Sequence, residues 1–205
     1  MLERAKKKIL KYIAHLLTPY LREENSHHEQ REEMWIKGHM RSCGSNVNFG
    51  ISYLIHGAEY ISIGDNFRAV THLRIQAMCT QKEEQVIPTL KIGNNVSFED
   101  SCHIGCIDSV SIGDGTMVAS KVFITDHFHG DITKDDIQTR PELRPLSHKP
   151  VKIGKNVWIG DGACILPGVT LGDNVIVGAN AVVTHSFMEN SVIAGCPAKL
   201  IKTLE

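Results

Sequence analysis

The sequence has no paired-cysteine motif, no apolar run of membrane length and no surplus of either charge. Each absence removes a class of protein. The six cysteines, at positions 43, 79, 102, 106, 164 and 196, form no CxxC pair. A chain of 205 residues can bury a core without a disulfide framework, so reduced thiols in a cytoplasmic protein are expected. Lys and Arg number 22 against 23 Asp and Glu, a balance that gives no electrostatic reason to expect a nucleic-acid partner. No stretch approaches the ~20 apolar residues of a membrane span. The opening MLERAKKKILKYIAHLL is broken throughout by charge and lacks a signal-peptide core, so no integral membrane segment is expected.

What the chain does have is a period. From Val151 to Val183, VKIGKNVWIGDGACILPGVTLGDNVIVGANAVV, an aliphatic residue returns every six positions, usually with Gly next: Ile153-Gly154, Ile159-Gly160, Ile165-Leu166, Leu171-Gly172, Val177-Gly178. A helix repeats its buried face every 3.6 residues and a strand every 2, so six fits neither alone. It fits a short strand and a tight turn repeated around a coil, the pattern of a parallel β-helix. The same marker occurs at Ile63-Gly64-Asp65-Asn66, Ile92-Gly93-Asn94-Asn95 and Ile112-Gly113-Asp114-Gly115. In this arrangement the aliphatic residue points inward and Gly, Asn and Asp take corners where positive φ is tolerated. Ile153 to Leu171 is one coil of eighteen residues, whereas longer steps imply insertions near Gln81–Thr89 and His127–Pro150. The expected fold is an all-β solenoid, and the general crossover rule would make it right-handed.

The expected domain plan has three parts. Residues 1–45 form a helical segment that caps the coil, 46–196 the β-helix with an inserted loop at about 127–150, and 197–205 a short C-terminal helix. In the first part Ile9, Leu10, Ile13, Leu16, Leu17 and Tyr20 fall on one helical face with Lys6, Lys7, Lys8 and Lys11 beside it. Such a stripe packs on a first coil or lies on a membrane surface. Pro19 is expected to end or bend that helix, and Asn25-Ser26 with Glu29 to start a second one running to about Ile36.

NVWIGDGACILPGVTLGDNVIVGANAVVTHS followed by SVIAGCPAKLIK resembles the C-terminal half of the hexapeptide-repeat acyltransferases. The likeness covers roughly Ile63 to Lys202 and is nearest to the sugar O-acetyltransferases, namely the maltose and galactoside acetyltransferases and their relatives from capsule and lipopolysaccharide synthesis. It implies a left-handed parallel β-helix, against the general crossover rule. It also implies a homotrimer with its sites in grooves between subunits, and acetyl-CoA as acetyl donor.

Acetyl transfer to a hydroxyl needs a base, because almost none of a sugar hydroxyl is ionised at neutral pH, and histidine titrates in the working range. The cluster Thr125-Asp126-His127-Phe128-His129-Gly130 sits where a regular coil is interrupted, and the resemblance puts the catalytic histidine at that interruption. Counted without gaps from Ile112-Gly113-Asp114, the family's histidine falls on His129, and the inward Ile124 gives the same register. His127 needs a two-residue gap but directly follows Asp126, which can orient an imidazole. His129 is therefore the expected base, with His127 its neighbour in the acceptor site or the base itself. The resemblance also places Trp158 as an aromatic wall (plain corner packing is the other reading), Glu99 as a partner for the imidazole, and Asp108 near the acceptor.

For the donor, the resemblance points to a groove along Gly160, Asp161, Ala179 and Thr184, with Lys199 and Lys202 near the CoA phosphates. Small residues at 160 and 179 allow close backbone approach. Relatives usually read V-V-T-K where this chain has Val182-Val183-Thr184-His185, which removes one fixed charge. Three other readings compete. An acceptor that is an antibiotic or an amino-sugar nitrogen changes only the nucleophile. A γ-carbonic-anhydrase-like metalloenzyme would need three zinc-binding histidines, and His103, His127 and His129 lack that family's ligand spacing. A non-catalytic solenoid would leave the arrangement of histidine, insertion and NVWIG without a purpose.

Overall fold

The computed structural model describes residues 2–79, 86–131 and 133–204, with the backbone alone for part of the N-terminal helix. It divides into two units, Met1–Gly38 and His39–Glu205.

In the larger unit, strands of two to five residues build three sheets, parallel but for the last strand of the second. The first sheet runs Ser42–Cys43, Ile61–Ile63, Thr89–Ile92, Ser109–Ile112, Val151–Ile153, Thr170–Leu171. The chain leaves each of these for the second sheet, then the third, then returns one rung further on. From Thr89 onward this gives Ser97–Phe98 and His103–Cys106, then Met117–Val118 and Phe123–Thr125, then Trp158–Ile159 and Cys164–Ile165, then Ile176–Val177 and Val182–Val183. The hexad markers stack in register: Ile63 on Ile92, Ile92 on Ile112, Ile112 on Ile153, Ile153 on Leu171. The second sheet stacks Ala69, Phe98, Val118, Ile159, Val177 and Ile193 in the same way, and the third stacks Ile55, Ile75, Ile104, Ile124, Ile165 and Val183. Nearly all of these side chains are buried, so the core is three aliphatic columns. Burial at ~25 cal/mol per Å² of apolar area makes each rung depend on its neighbours.

The corners are held by polar side chains. Asn66, Asn95, Asn156, Asn174 and Asn190 all adopt φ between 53° and 59°, a left-handed conformation that Asn tolerates better than other residues with a side chain. Their amides form ladders: Asn66 Nδ2 donates to Asn95 Oδ1 at 3.0 Å, and Asn174 Nδ2 to Asn190 Oδ1 at 2.9 Å. One residue earlier, carboxylates and amides cap main-chain N–H groups of the preceding coil, as when Lys155 N–H donates to Asp173 Oδ1 at 2.7 Å.

Both ends depart from expectation. One helix, α1, spans Leu2–His39 without a break at Pro19 and without a second start at Asn25. An internal proline costs about 3 kcal/mol, and a long run rich in Leu, Lys, Glu and Arg on both sides of it continues the helix regardless. Leu10, Ile13 and Leu17 are exposed on α1, as are Lys6, Lys7 and Lys11. The expected C-terminal helix is a strand, Lys199–Thr203, antiparallel to Ser191–Ala194. The positive φ of Gly195 turns the chain back, and pairing satisfies the open edge of the second sheet, which a helix would leave bare.

The inserted segment leaves the third sheet after Thr125 and re-enters the first at Val151. It opens and closes as an antiparallel hairpin, His127–His129 against Leu146–His148. Between these strands lies a five-residue helix, Lys134–Gln138, capped by Thr133 Oγ1, which accepts from Asp136 N–H at 3.1 Å. Most of the other expected insertion, near Gln81–Thr89, lies outside the described residues.

Candidate active site

Among the described residues only four polar or charged side chains are buried, Thr116, Thr125, Asp126 and Ser191. Two of these four adjoin His127. Asp126 is wholly buried where the chain leaves the third sheet, a position that burial alone would make costly for a carboxylate. Its oxygens accept four hydrogen bonds. Ile107 N–H donates at 3.0 and 3.1 Å, Asp108 N–H at 2.8 Å and His127 Nδ1–H at 2.9 Å. Burial works to raise the Asp126 pKa, but the His127 hydrogen bond and the two main-chain donors outweigh it and hold the carboxyl below its usual range. The group is ionised at neutral pH.

An ionised carboxylate can only accept, so the proton between it and His127 sits on Nδ1. The neutral imidazole then presents a bare Nε2, the form a general base requires. Thr125 Oγ1 lies 3.2 Å from Nδ1 and steadies the same edge. The ring rests above Gly105, where an added Cβ would stand 3.1 Å from Cε1. Gly105 therefore makes room for the imidazole. The side chain of His127 is 14 % exposed, enough to reach an acceptor while shielded from bulk water.

His129 is placed differently. It lies at the far end of the same strand, exposed, opposite Leu146, and makes no hydrogen bond among the described residues. Glu99 is not the group that holds the His127 ring within this chain, since Asp126 occupies that place. Its nearest ion-pair partner is Arg68 at 3.9 Å. Asp108 is drawn into the site twice, through its N–H to Asp126 and through Oδ2, which lies 2.9 Å from His148 Nδ1. Trp158 stands on the outward row of the second sheet between Met117 and Ile176, half exposed at 49 %, so it is not core packing.

Of the donor-side candidates, two have jobs within the chain. A Cβ on Gly160 would meet Ala179 N at 2.7 Å, so this glycine is required for coil-on-coil contact. Asp161 Oδ1 accepts from Ser120 N–H at 3.2 Å, as corner carboxylates do elsewhere. Ala179 lies on the next corner, and Thr184 is exposed with Oγ1 3.2 Å from His185 Nδ1. Lys199 and Lys202 are registered opposite Ala194 and Val192, and the bulge between them puts both on the outward face of the strand.

Sequence reasoning missed His148 and Gly105, and it included Thr125 in the cluster without giving it a role. His148 carried a faint signal, as the last histidine before the chain re-enters the coil, just as His127 is the first after it leaves. Nearby, His103 Nε2 lies 3.2 Å from Gln76 Oε1, and burial, then the positive charge of Arg74, push its pKa down. Among the described residues no cysteine is joined in a disulfide. Burial drives the Cys102 thiol up to about 11 and that of Cys106 higher still, with Asp126 adding to the second. Among the described residues no three His, Cys, Asp or Glu side chains are grouped to hold a metal ion, and no helix is long and apolar enough to cross a membrane.

Short strands recurring on three parallel faces, with an oriented imidazole where one coil is interrupted, define a hexapeptide-repeat protein. Comparison with known proteins agrees. Residues 150–185 match the bacterial transferase hexapeptide (six repeats) family. The chain is 42% identical over 146 residues to the putative lipopolysaccharide biosynthesis O-acetyl transferase WbbJ of Escherichia coli K12, covering 69% of this chain and 71% of that one. Among solved structures, a galactoside acetyltransferase in complex with coenzyme A superposes with a TM-score of 0.54 at 25% identity, over 86% of this chain and 71% of that one. AntD, an N-acyltransferase from Bacillus cereus, superposes at 0.65 over 85% and 89%, but at 20% identity it speaks for the fold alone. The chain belongs to the hexapeptide-repeat acetyltransferase family.

Proposed function

We propose that this protein transfers the acetyl group of acetyl-CoA to a hydroxyl of a sugar or cell-surface glycan precursor, with His127 as general base and Asp126 as the residue that orients it. The observation that carries this reading is the buried, ionised Asp126 fixing Nδ1–H of His127, which leaves Nε2 free to take a proton. The acceptor hydroxyl oxygen attacks the thioester carbonyl carbon as Nε2 removes its proton. The C–S bond then breaks and the imidazolium returns the proton to the leaving thiolate. Asp126 stabilises the transient imidazolium without itself taking the proton.

The base role moves from His129 to His127 because, of these two and among the described residues, His127 alone has an orienting partner, the usual mark of an activated imidazole. In this reading the three sheets close as a left-handed β-helix and three chains assemble about a threefold axis. Trp158, Glu99 and Asp108 then contribute to an acceptor groove, and Ala179, Thr184, Lys199 and Lys202 to the donor groove. The relative involved in lipopolysaccharide synthesis supports a glycan acceptor.

The test is thiol release from acetyl-CoA across a panel of sugars, nucleotide sugars and glycans. His127→Ala should lower kcat by about 10²–10⁴ while leaving acetyl-CoA affinity little changed. His129→Ala should change kcat far less. A His129→Ala loss larger than that of His127→Ala would return the base role to His129. Absence of acetyl-CoA binding by calorimetry in a folded oligomer would end the acetyltransferase reading.

A further inference from the structure

The site contains a second histidine–aspartate pair, built like the first and joined to it. His148 Nδ1 lies 2.9 Å from Asp108 Oδ2, as His127 Nδ1 lies 2.9 Å from Asp126 Oδ1. Across the hairpin His127 and His148 are directly opposite. Lys149 N–H donates to the Asp126 carbonyl at 2.9 Å, which makes the 126–149 pair hydrogen-bonded and the 127–148 pair the non-hydrogen-bonded kind, with the closer side chains. The two aspartates are linked as well, because the main-chain N–H of Asp108 donates to Asp126 Oδ2 at 2.8 Å. Asp108 is thus a hub. Its main chain holds the carboxylate that orients His127, and its side chain holds the strand that returns beside His127.

We propose that Asp108 and His148 are positioning residues for the His127–Asp126 pair, an inference that rests on His127 being the base. The strand bearing His127 has few other restraints, since Phe128 and His129 are exposed. On the return strand, Leu146 and Ser147 are half-buried, and Ser147 Oγ donates only within the insertion, to the Gly130 carbonyl at 3.3 Å. The His148–Asp108 contact is the side-chain tie from the return strand to the turn that follows His103–Cys106. With its side chain 33 % exposed and Asp108 at 26 %, the pair is too wet to add much stability. Its effect is geometric. A base displaced by a fraction of an ångström loses rate steeply, because proton transfer needs hydrogen-bond distance and alignment.

Long-range ¹H–¹⁵N spectra of the full chain labelled at histidine report the tautomer of His127 without any substrate. The wild type should show one tautomer, protonated on Nδ1. His148→Ala and Asp108→Ala should both give a mixture, with thermal stability nearly unchanged. Asp108→Asn keeps an oxygen for His148 and its own main-chain N–H, and should retain the single tautomer. On any acceptor that supports turnover, His148→Ala should lower kcat about tenfold with the KM for acetyl-CoA within about twofold. A His127 spectrum identical to wild type in both Ala variants would overturn the proposal. If His148→Ala fails to fold, Asp108→Ala decides by the same spectrum. A wild type inactive on every acceptor would strike the proposed function instead and leave the spectral comparison standing.

Discussion

Asp173 and Asp126 perform the same local task with opposite consequences. Asp173 sits in the regular coils and accepts the N–H of Lys155, which ties one corner to the next. Asp126 sits at the interrupted coil and likewise accepts main-chain N–H groups, from Ile107 and Asp108, but it also carries the imidazole of His127. In the regular coils such corner groups bond from rung to rung, as Asn174 does to Asn190. Where the chain departs for the hairpin, the corner carboxylate holds a side chain of the departing strand, His127, as well as the main chain. The lesson is that the site uses the fold's own device at the place where the repeat fails.

The sharpest way to break this comparison is to neutralise each carboxylate. Asp126→Asn should cost about 10²-fold or more in kcat, because an amide can present its N–H to Nδ1 and favour the wrong tautomer. Asp173→Asn should leave kcat near wild type. Acid stability separates the two further. The Asp126 carboxyl is held below its ordinary value in the folded state, so between the two values the unfolded chain binds the extra proton. Its contribution to stability is complete above about pH 4 and is lost as pH falls through the folded value. Asp126→Asn should therefore show a shallower loss of stability in acid than wild type, measured by urea unfolding from pH 5 to pH 2. An equally steep loss would mean that other carboxylates govern acid unfolding.

Glycines sharpen the contrast at intermediate size. A Cβ at Gly154 would stand 2.5 Å from Asp173 Oδ1 and 2.7 Å from its nitrogen, so the coil itself must shift. Gly154→Ala should destabilise by about 1–3 kcal/mol with the turnover of the folded fraction retained. The atoms nearest a Cβ at Gly105 are side-chain ones, His127 Cε1 at 3.1 Å and Thr125 Oγ1 at 3.4 Å. Gly105→Ala should lower kcat about tenfold with little change in melting temperature. Reversal of these two outcomes would show that the imidazole can move without cost.

The smallest effect belongs to the corner ladder. Asn174 holds φ 58° and bonds to Asn190. Asn174→Ala should cost about 1–2 kcal/mol from left-handed strain alone, whereas Asn174→Gly, free of that strain, should cost less although it loses the same amide. Equal losses would assign the ladder's value to its hydrogen bonds.

The sequence by itself determined the three aliphatic columns, the Asn and Asp corners, the place of the insertion and the cluster that contains His127 and Asp126. A six-residue period admits few structures, since inward residues must recur at each rung and corners must accept positive φ. It did not determine the two ends. A single proline suggested a break at Pro19, but the helix-forming run on both sides of it prevails; the pairing of Lys199–Thr203 with Ser191–Ala194 follows from an open sheet edge that local propensity does not contain. Nor did it choose between His127 and His129. They differ by two residues and by nothing in composition, and the choice fell to tertiary structure. Only the folded chain brings Ile107 and Asp108 N–H to Asp126, places Gly105 under one ring and sets His148 opposite it. Hydrogen bonds between groups some twenty residues apart leave no period in the sequence, because they depend on where coils stack rather than on what repeats.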